Sequence, residues 1–202
     1  LNAKNSLSSP NKVSDNDIVI NAGDETITQR GYMMHGGEKR THCIAVGSPD
    51  GVNYSYDLSR GALLQVWQGD FLDVTQMWHS RGNSQLAEPK GFSVSFHGDP
   101  DFMTLENKDM IWPDTIPSNI RFKPLGYEIR DNGIPVFIHQ EAGTAISNSF
   151  KTSEDGRGLE RIISNTGNVA IWHKIAEGES IKKLEDGTFI VNDESYFIDF
   201  SG

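Results

Sequence analysis

Residues 41–82 read THCIAVGSPDGVNYSYDLSRGALLQVWQGDFLDVTQMWHSRG, and their period settles the fold class. His42, Ile44 and Val46 alternate with Cys43 and Ala45 and run into Gly47-Ser48-Pro49-Asp50-Gly51, a Pro-Asp-Gly segment with a fixed φ followed by a residue tolerant of positive φ. Val52, Tyr54 and Tyr56 then share one face and Asn53, Ser55 and Asp57 the other, which is the two-residue period of a half-buried strand. Arg60-Gly61 turns the chain, the apolar run from Ala62 to Trp67 forms a third strand closed by Gln68-Gly69-Asp70, and the run from Phe71 to Trp78 reads as a fourth. Short strands at this spacing predict an antiparallel meander.

The same grammar extends outward. Ile18-Val19-Ile20 reads as an edge strand, Gln29 to Met34 as the strand before the meander, and Phe92, Val94 and Phe96 as one after it. Asp131-Asn132-Gly133 sits between two extended runs and predicts a hairpin. Further alternating runs continue to Phe200, and no ten residues carry a helical period. The expectation is an all-β fold, a large antiparallel β-sandwich with supersandwich-like proportions and little helix. Residues 1–17, rich in Ser, Asn, Asp and Lys, read as a flexible linker or extended arm, and residues 18–202 as the sandwich domain. Residues 98–118 contain three prolines and no sustained period, so they read as a surface loop or as a connector between two halves. The chain starts at Leu1 and shows no basic, apolar signal segment, which suggests a mature or trimmed piece, and the polar arm implies something upstream in a parent protein.

Composition bounds the function. With 202 residues the chain can bury a sizeable core without staples. A formal net charge of -10 and no basic stripe argue against nucleic acid as a partner, because phosphate affinity comes from clustered Lys and Arg. No apolar run approaches the length of a membrane span. Cys43 is the single cysteine, which excludes an internal disulfide, and without a CxxCH there is no covalent haem. No cofactor is expected.

The segments QRGYM (residues 29–33), HCIAVGSPDGVNYSYDLSRGALLQVWQGDFLDVTQMWHSRG (42–82), FKPLGYEIRDNGIPVFIHQ (122–140) and GRGLERIIS (156–164) resemble a β-rich accessory module of large secreted bacterial proteins. In those proteins the module accompanies c-type cytochrome domains and sugar-dehydrogenase-like propellers. The second half is also similar to galactose-mutarotase-like sandwiches, whose concave sheet holds sugars. The resemblance implies a periplasmic, cell-surface or extracellular setting, carbohydrate as a ligand, and a cytochrome or dehydrogenase domain of a parent protein as a partner. It carries over no catalytic residues.

Candidate site residues follow from chemistry. Trp rings stack on apolar sugar faces while neighbouring carboxylates accept hydroxyl hydrogens. Trp67 and Trp172 lie on strands and are expected in the core, whereas Trp78, beside His79 and Arg81, and Trp112, in the long loop, are the rings free to stack. Asp57 and Asp73 flank the same stretch, and Asp70 reads as a turn residue. The proposed ligand-binding set is Trp78, His79, Arg81, Asp57, Asp73 and Trp112. A glycosidase would need two carboxylates about 5 to 10 Å apart, and a mutarotase a carboxylate base with a His acid, for which His79, His139 and His173 qualify in type. The six histidines lack metal-ligand spacing, and the Met33-Met34-His35 run reads as packing. Asp99, Asp101, Glu106 and Asp109 match no calcium loop and read as a solvated acidic loop. The leading expectation is an accessory domain that binds carbohydrate or docks a partner in an envelope-associated sugar-oxidising system. The alternatives are a mutarotase-like or glycoside-processing enzyme, and a structural domain of an extracellular assembly.

Overall fold

The computed structural model describes residues 17–79, 84–117 and 122–200. The expected amino-terminal arm, Asp17 apart, lies outside them. In chain order the strands are β1 (Val19–Ile20), β2 (Ile27–His35), β3 (Glu38–Gly47), β4 (Val52–Asp57) and β5 (Ala62–Asp73), followed by a single-turn helix α1 (Thr75–His79). Then come β6 (Glu88–Ser95), β7 (Phe102–Met103), β8 (Lys123–Ile129), β9 (Pro135–Glu141), β10 (Thr144–Thr152), β11 (Leu159–Asn165), β12 (Trp172–His173), β13 (Ile181–Lys183), β14 (Phe189–Val191) and β15 (Tyr196–Ile198). The fold is all-β and, among the described residues, every strand-to-strand ladder is antiparallel.

A six-stranded sheet runs β1-β5-β4-β3-β2, with β6 also on β5, and a four-stranded sheet runs β11-β10-β9-β8. Small sheets β12-β7 and β13-β14-β15 complete the described residues. The meander of residues 41–82 supplies the middle of the large sheet, with one revision. Gln68-Gly69-Asp70 does not close a strand, because β5 continues for 12 residues to Asp73. Gly69 takes φ +125 opposite Gly91, and bulges lie between the paired positions Ser55/Tyr56 and Asp70/Leu72, so β5 bends where the sequence suggested it would end. Its length lets it pair with β4 and then β1 along one edge and with β6 along the other. The segment read as a fourth strand divides: Phe71 to Asp73 finish β5, and α1 takes over at Thr75.

Bending carries the large sheet back on itself. Tyr32 forms a parallel bridge to Leu86, and the Ala87 N–H donates to the Tyr32 carbonyl at 2.8 Å. Inside the curl lies a first core of Met33, Cys43, Ala45, Leu64, Trp67, Phe71, Leu72, Val74 and Ala87. On the other face of the sheet lies a second core, in which Ile44, Val46, Tyr54, Tyr56 and Leu63 meet Phe137 and Phe150 of the four-stranded sheet. Tyr56 stacks on Phe137 with centroids 4.2 Å apart, and Tyr54 meets Phe150 at 4.9 Å. Such pairs add about 0.5 to 1.5 kcal/mol each beyond area burial.

Two cores explain why β4 is not half-buried as its alternation suggested. All six of its residues are buried, Tyr54 and Tyr56 toward the second sheet and Asn53, Ser55 and Asp57 toward the curl. Inward polar groups need partners. Asn53 donates to the Gly51 and Gly69 carbonyls, and the Trp67 indole donates to the Phe71 carbonyl. The predicted Asn-Gly hairpin is present as the turn between β8 and β9, with Gly133 at φ +78 and the Asn132 side chain accepting from the Ile134 N–H. The long irregular segment contains β7 and links the two large sheets in sequence.

Candidate functional site

A cleft of about 360 Å³ opens beside the meander, lined by Arg30, Gly31 and Tyr32 of β2, Thr41, His42 and Cys43 of β3, Leu58, Met77 of α1, and Gln85. Its form follows from local sequence. The β2–β3 register shifts between Gly31 and Met33, so Tyr32 stands outside the ladder and reaches the Leu86 bridge. At Gly31 a Cβ would sit 3.2 Å from the Ala87 methyl and 3.7 Å from the Met77 sulfur, so glycine lets α1 and the 86–87 segment close against β2. The Asp73 carboxylate accepts from the Thr75 N–H at 2.9 Å, and the Ile18 N–H donates to the Thr75 hydroxyl at 2.8 Å, which fixes the start of α1. Burial opposes ionisation of Asp73, but the Thr75 hydrogen bonds and Lys90 prevail and lower its pKa. Met77 packs onto the first core, leaving Trp78 72% exposed on the next position with His79 also exposed.

The cleft walls are mixed in character. Thr41 and His42 are exposed, joined by a 3.0 Å hydrogen bond between the hydroxyl and Nδ1. Lys39 Nζ lies 4.3 Å from the Tyr32 ring centroid, a cation–π contact that occupies one face of the ring. Cys43 is buried at the floor, its thiol donating to the Arg40 carbonyl, and burial pushes that thiol up to about 12.

A second concentration of polar groups is sealed between the sheets. Asp101, 1% exposed, accepts from Arg161 at 2.6 Å and from the Leu63 N–H at 3.1 Å. Arg161 also donates to Asn148 at 3.0 Å, and Asn148 donates to the Tyr56 hydroxyl at 3.2 Å. Burial pushes the Asp101 carboxyl upward against the Arg161 charge, which favours the ionised form. Phe102 stacks on His173 at 4.6 Å and lies 5.3 Å from His139, whose other neighbour is Phe122 at 5.2 Å. Burial lowers His139 to about 4 and His173 to about 3, with Arg161 adding to both. His97 Nδ1 accepts from the Asp99 N–H, which leaves its Nε2 to donate to the Lys174 carbonyl at 3.3 Å. These histidines are neutral packing groups at pH 7. Glu141 is wholly buried, with one oxygen accepting from the Thr104 N–H and burial raising its pKa.

No protein-family model, curated protein or solved structure matches this chain. The geometry alone therefore ranks the candidate residues.

Trp78 and His79 are exposed on α1, next in sequence to the cleft residue Met77, but neither lines the cleft, and Asp73 precedes them as the acceptor that starts the helix. Arg81 lies outside the described residues. Asp57 is 1% exposed; one oxygen accepts from the Ser59 N–H and hydroxyl, and the other is 3.7 Å from Arg40. It is a buried anchor with no route to a ligand. Trp112 is half-buried and donates to the Pro100 carbonyl at 2.9 Å, which fastens the long loop to itself. Of the five described residues, Asp57 is buried and Trp112 is tied into the long loop, while Asp73, Trp78 and His79 lie at the end of β5 and on α1. Trp172 departs from its expected core position at 41% exposure, because β12 turns its neighbour His173 inward and alternation sends the indole out. Asp99 and Asp101 are not a solvated acidic pair but partners of Lys174 and Arg161, each at 2.6 Å.

Arg30, Tyr32, Thr41, His42 and Gln85 escaped sequence reading. The only available signal was the out-of-phase Gly31-Tyr32 step in an otherwise regular strand. The sealed histidines gave none, since His97, His139 and His173 come from separate segments.

Proposed function

We propose that this chain is an accessory binding domain for carbohydrate, with its ligand in the cleft between β2, β3 and α1. The observation that carries the reading is the make-up of that cleft: donors and acceptors from Arg30, Thr41, His42 and Gln85 beside apolar Leu58 and Met77, with the most exposed indole of the described residues one position from Met77. Saccharides are recognised by that combination of a ring-stacking surface and dispersed polar groups. Binding is favoured over glycoside chemistry because the described lining includes no Asp or Glu, whereas acid–base hydrolysis needs two. Of the three histidines suited in type to proton transfer, His139 and His173 are buried among aromatic rings, and His79 is exposed on α1 outside the cleft lining. The periplasmic, cell-surface or extracellular setting and the cytochrome- or dehydrogenase-bearing parent are supported by the sequence resemblance.

The test is titration of the purified chain with a panel of neutral and acidic oligosaccharides, read by intrinsic Trp fluorescence, with parallel assays for new reducing ends and altered anomer ratio. A saturable change without turnover, weakened about tenfold in Trp78→Ala or His42→Ala, is the expected result. Turnover would overturn the reading in favour of an enzyme. Silence across the whole panel would leave partner docking or assembly as the role.

A further inference from the structure

Carboxylates outnumber basic side chains in this sequence, 28 Asp and Glu against 18 Lys and Arg. The described walls of two of its cavities reverse that balance. The cleft beside α1 carries Arg30 and His42, with no Asp or Glu among its described lining residues. A second groove, of about 310 Å³, lies across the four-stranded sheet and the turn between β8 and β9. It takes Arg130 and Asn132 from the turn, Ser147, Ser149 and Lys151 from β10, and Ser164 from β11, again with no carboxylate in its described lining.

Arg40, Arg60 and Arg161 each lie within 4 Å of a carboxylate, at 3.4, 3.6 and 2.6 Å, and Arg157, which lines neither cavity, is exposed with no ion pair among the described residues. Arg30 and Arg130 are exposed, and neither guanidinium has a hydrogen bond or ion pair among the described residues. Lys151 pairs with Glu160 at 3.0 Å, with both side chains nearly half exposed, and such a pair contributes little and exchanges readily for another anion. Two unpaired guanidinium forks facing carboxylate-free cavities in a chain of net charge -10 are what a negatively charged ligand requires.

We propose that the ligand is an acidic saccharide, bearing carboxylate or sulfate groups, held by Arg30 in the cleft and by Arg130 with Lys151 in the groove. The proposal rests on the carbohydrate reading of the cleft and adds the ligand's charge and a second site for the same class of ligand. In the groove the Ser147 and Ser164 hydroxyls are 2.6 Å apart, and with Ser149 and Asn132 they form a row of neutral partners for ring hydroxyls beside the two cations. A guanidinium holds a carboxylate or a sulfate through two parallel N–H···O bonds, so either acid serves.

The test is calorimetric titration of the full chain with three oligosaccharides of matched length: a neutral galactan, an oligogalacturonate and a sulfated galactan, with inorganic sulfate as the control for charge alone. The expected result is affinity at least about tenfold higher for an acidic oligomer than for the neutral one and above that for inorganic sulfate, falling about tenfold in each of Arg30→Gln and Arg130→Gln. Both side chains are exposed and unpaired among the described residues, so neither substitution should move the unfolding midpoint. The two acidic arms show which oxyanion is preferred. Equal affinity for neutral and acidic oligomers would overturn this proposal and leave the carbohydrate reading standing. A loss confined to Arg30→Gln would overturn the second site, and absence of binding to all three oligomers would overturn both proposals.

Discussion

The Arg161 guanidinium of the four-stranded sheet contacts Asp101 at 2.6 Å and Asn148 at 3.0 Å and lies 5.2 and 5.1 Å from the Phe102 and Phe150 ring centroids, and Asp101 in turn accepts from the Leu63 N–H of the six-stranded sheet. Removing one partner of a buried pair leaves a desolvated charge behind, which costs about 3 to 5 kcal/mol. Arg161→Leu should therefore lower stability by that amount in urea unfolding at pH 7. The loss should shrink as pH falls, because burial already raises the Asp101 pKa and a protonated carboxyl no longer needs the cation. Adding Asp101→Asn to Arg161→Leu should recover part of the loss. A double variant no more stable than the single one would show that Arg161 acts through packing alone.

Among the elements, the junction of β5 and β6 is the most tightly set. Gly69 and Gly91 face each other across the ladder, and a Cβ on Gly91 would lie 2.1 Å from the Gln68 carbonyl oxygen. Backbone has to move to admit it. Gly91→Ala should cost about 1 to 3 kcal/mol by overpacking and raise amide hydrogen exchange along β6 before β3 or β4 is affected. Uniform loss of protection across the sheet would contradict this. The same junction marks the limit of sequence reading. Alternation located β2, β3, β4 and the hairpin of β8 and β9, because those patterns arise from neighbours along the chain. It could not show that β5 passes through Gly69, since a glycine opposite a second glycine about twenty residues later is a non-local arrangement. Nor could it show that β4 is buried on both sides, which requires the sheet to curl behind it and a second sheet to cover its front. The neighbourhood of the cleft was legible, its lining was not, and for the same reason. Trp78 and His79 announce themselves as a polar-aromatic pair beside a turn, whereas Arg30 and His42 matter only because Gly31 allows α1 to close against them.

For the whole molecule, acid is the predicted weak point. Four of its six histidines, His35, His97, His139 and His173, have pKa values lowered mainly by burial. In the unfolded chain each takes a proton below about pH 6.5. In the folded protein His139 does so only near 4 and His173 near 3. Between those limits the unfolded state binds more protons, so stability is complete above pH 6.5 and falls as pH drops, by about 3 kcal/mol for His139 once pH 4 is reached. The raised pKa values of Asp101 and Glu141 act in the opposite sense, since the folded state takes up those protons first, and they offset part of the loss. The urea midpoint should thus be lower at pH 4.5 than at pH 7, with a smaller difference in His139→Phe. A midpoint independent of pH would refute this account. The floor of the cleft carries a further practical consequence. Because the sole thiol of the chain, Cys43, is buried and held protonated, it stays silent toward maleimides and iodoacetamides under ordinary labelling conditions. A cysteine introduced at residue 78 would then be the only reactive one, and the native sequence already serves as the cysteine-less background for attaching a spin label or fluorophore on α1, one residue from the cleft.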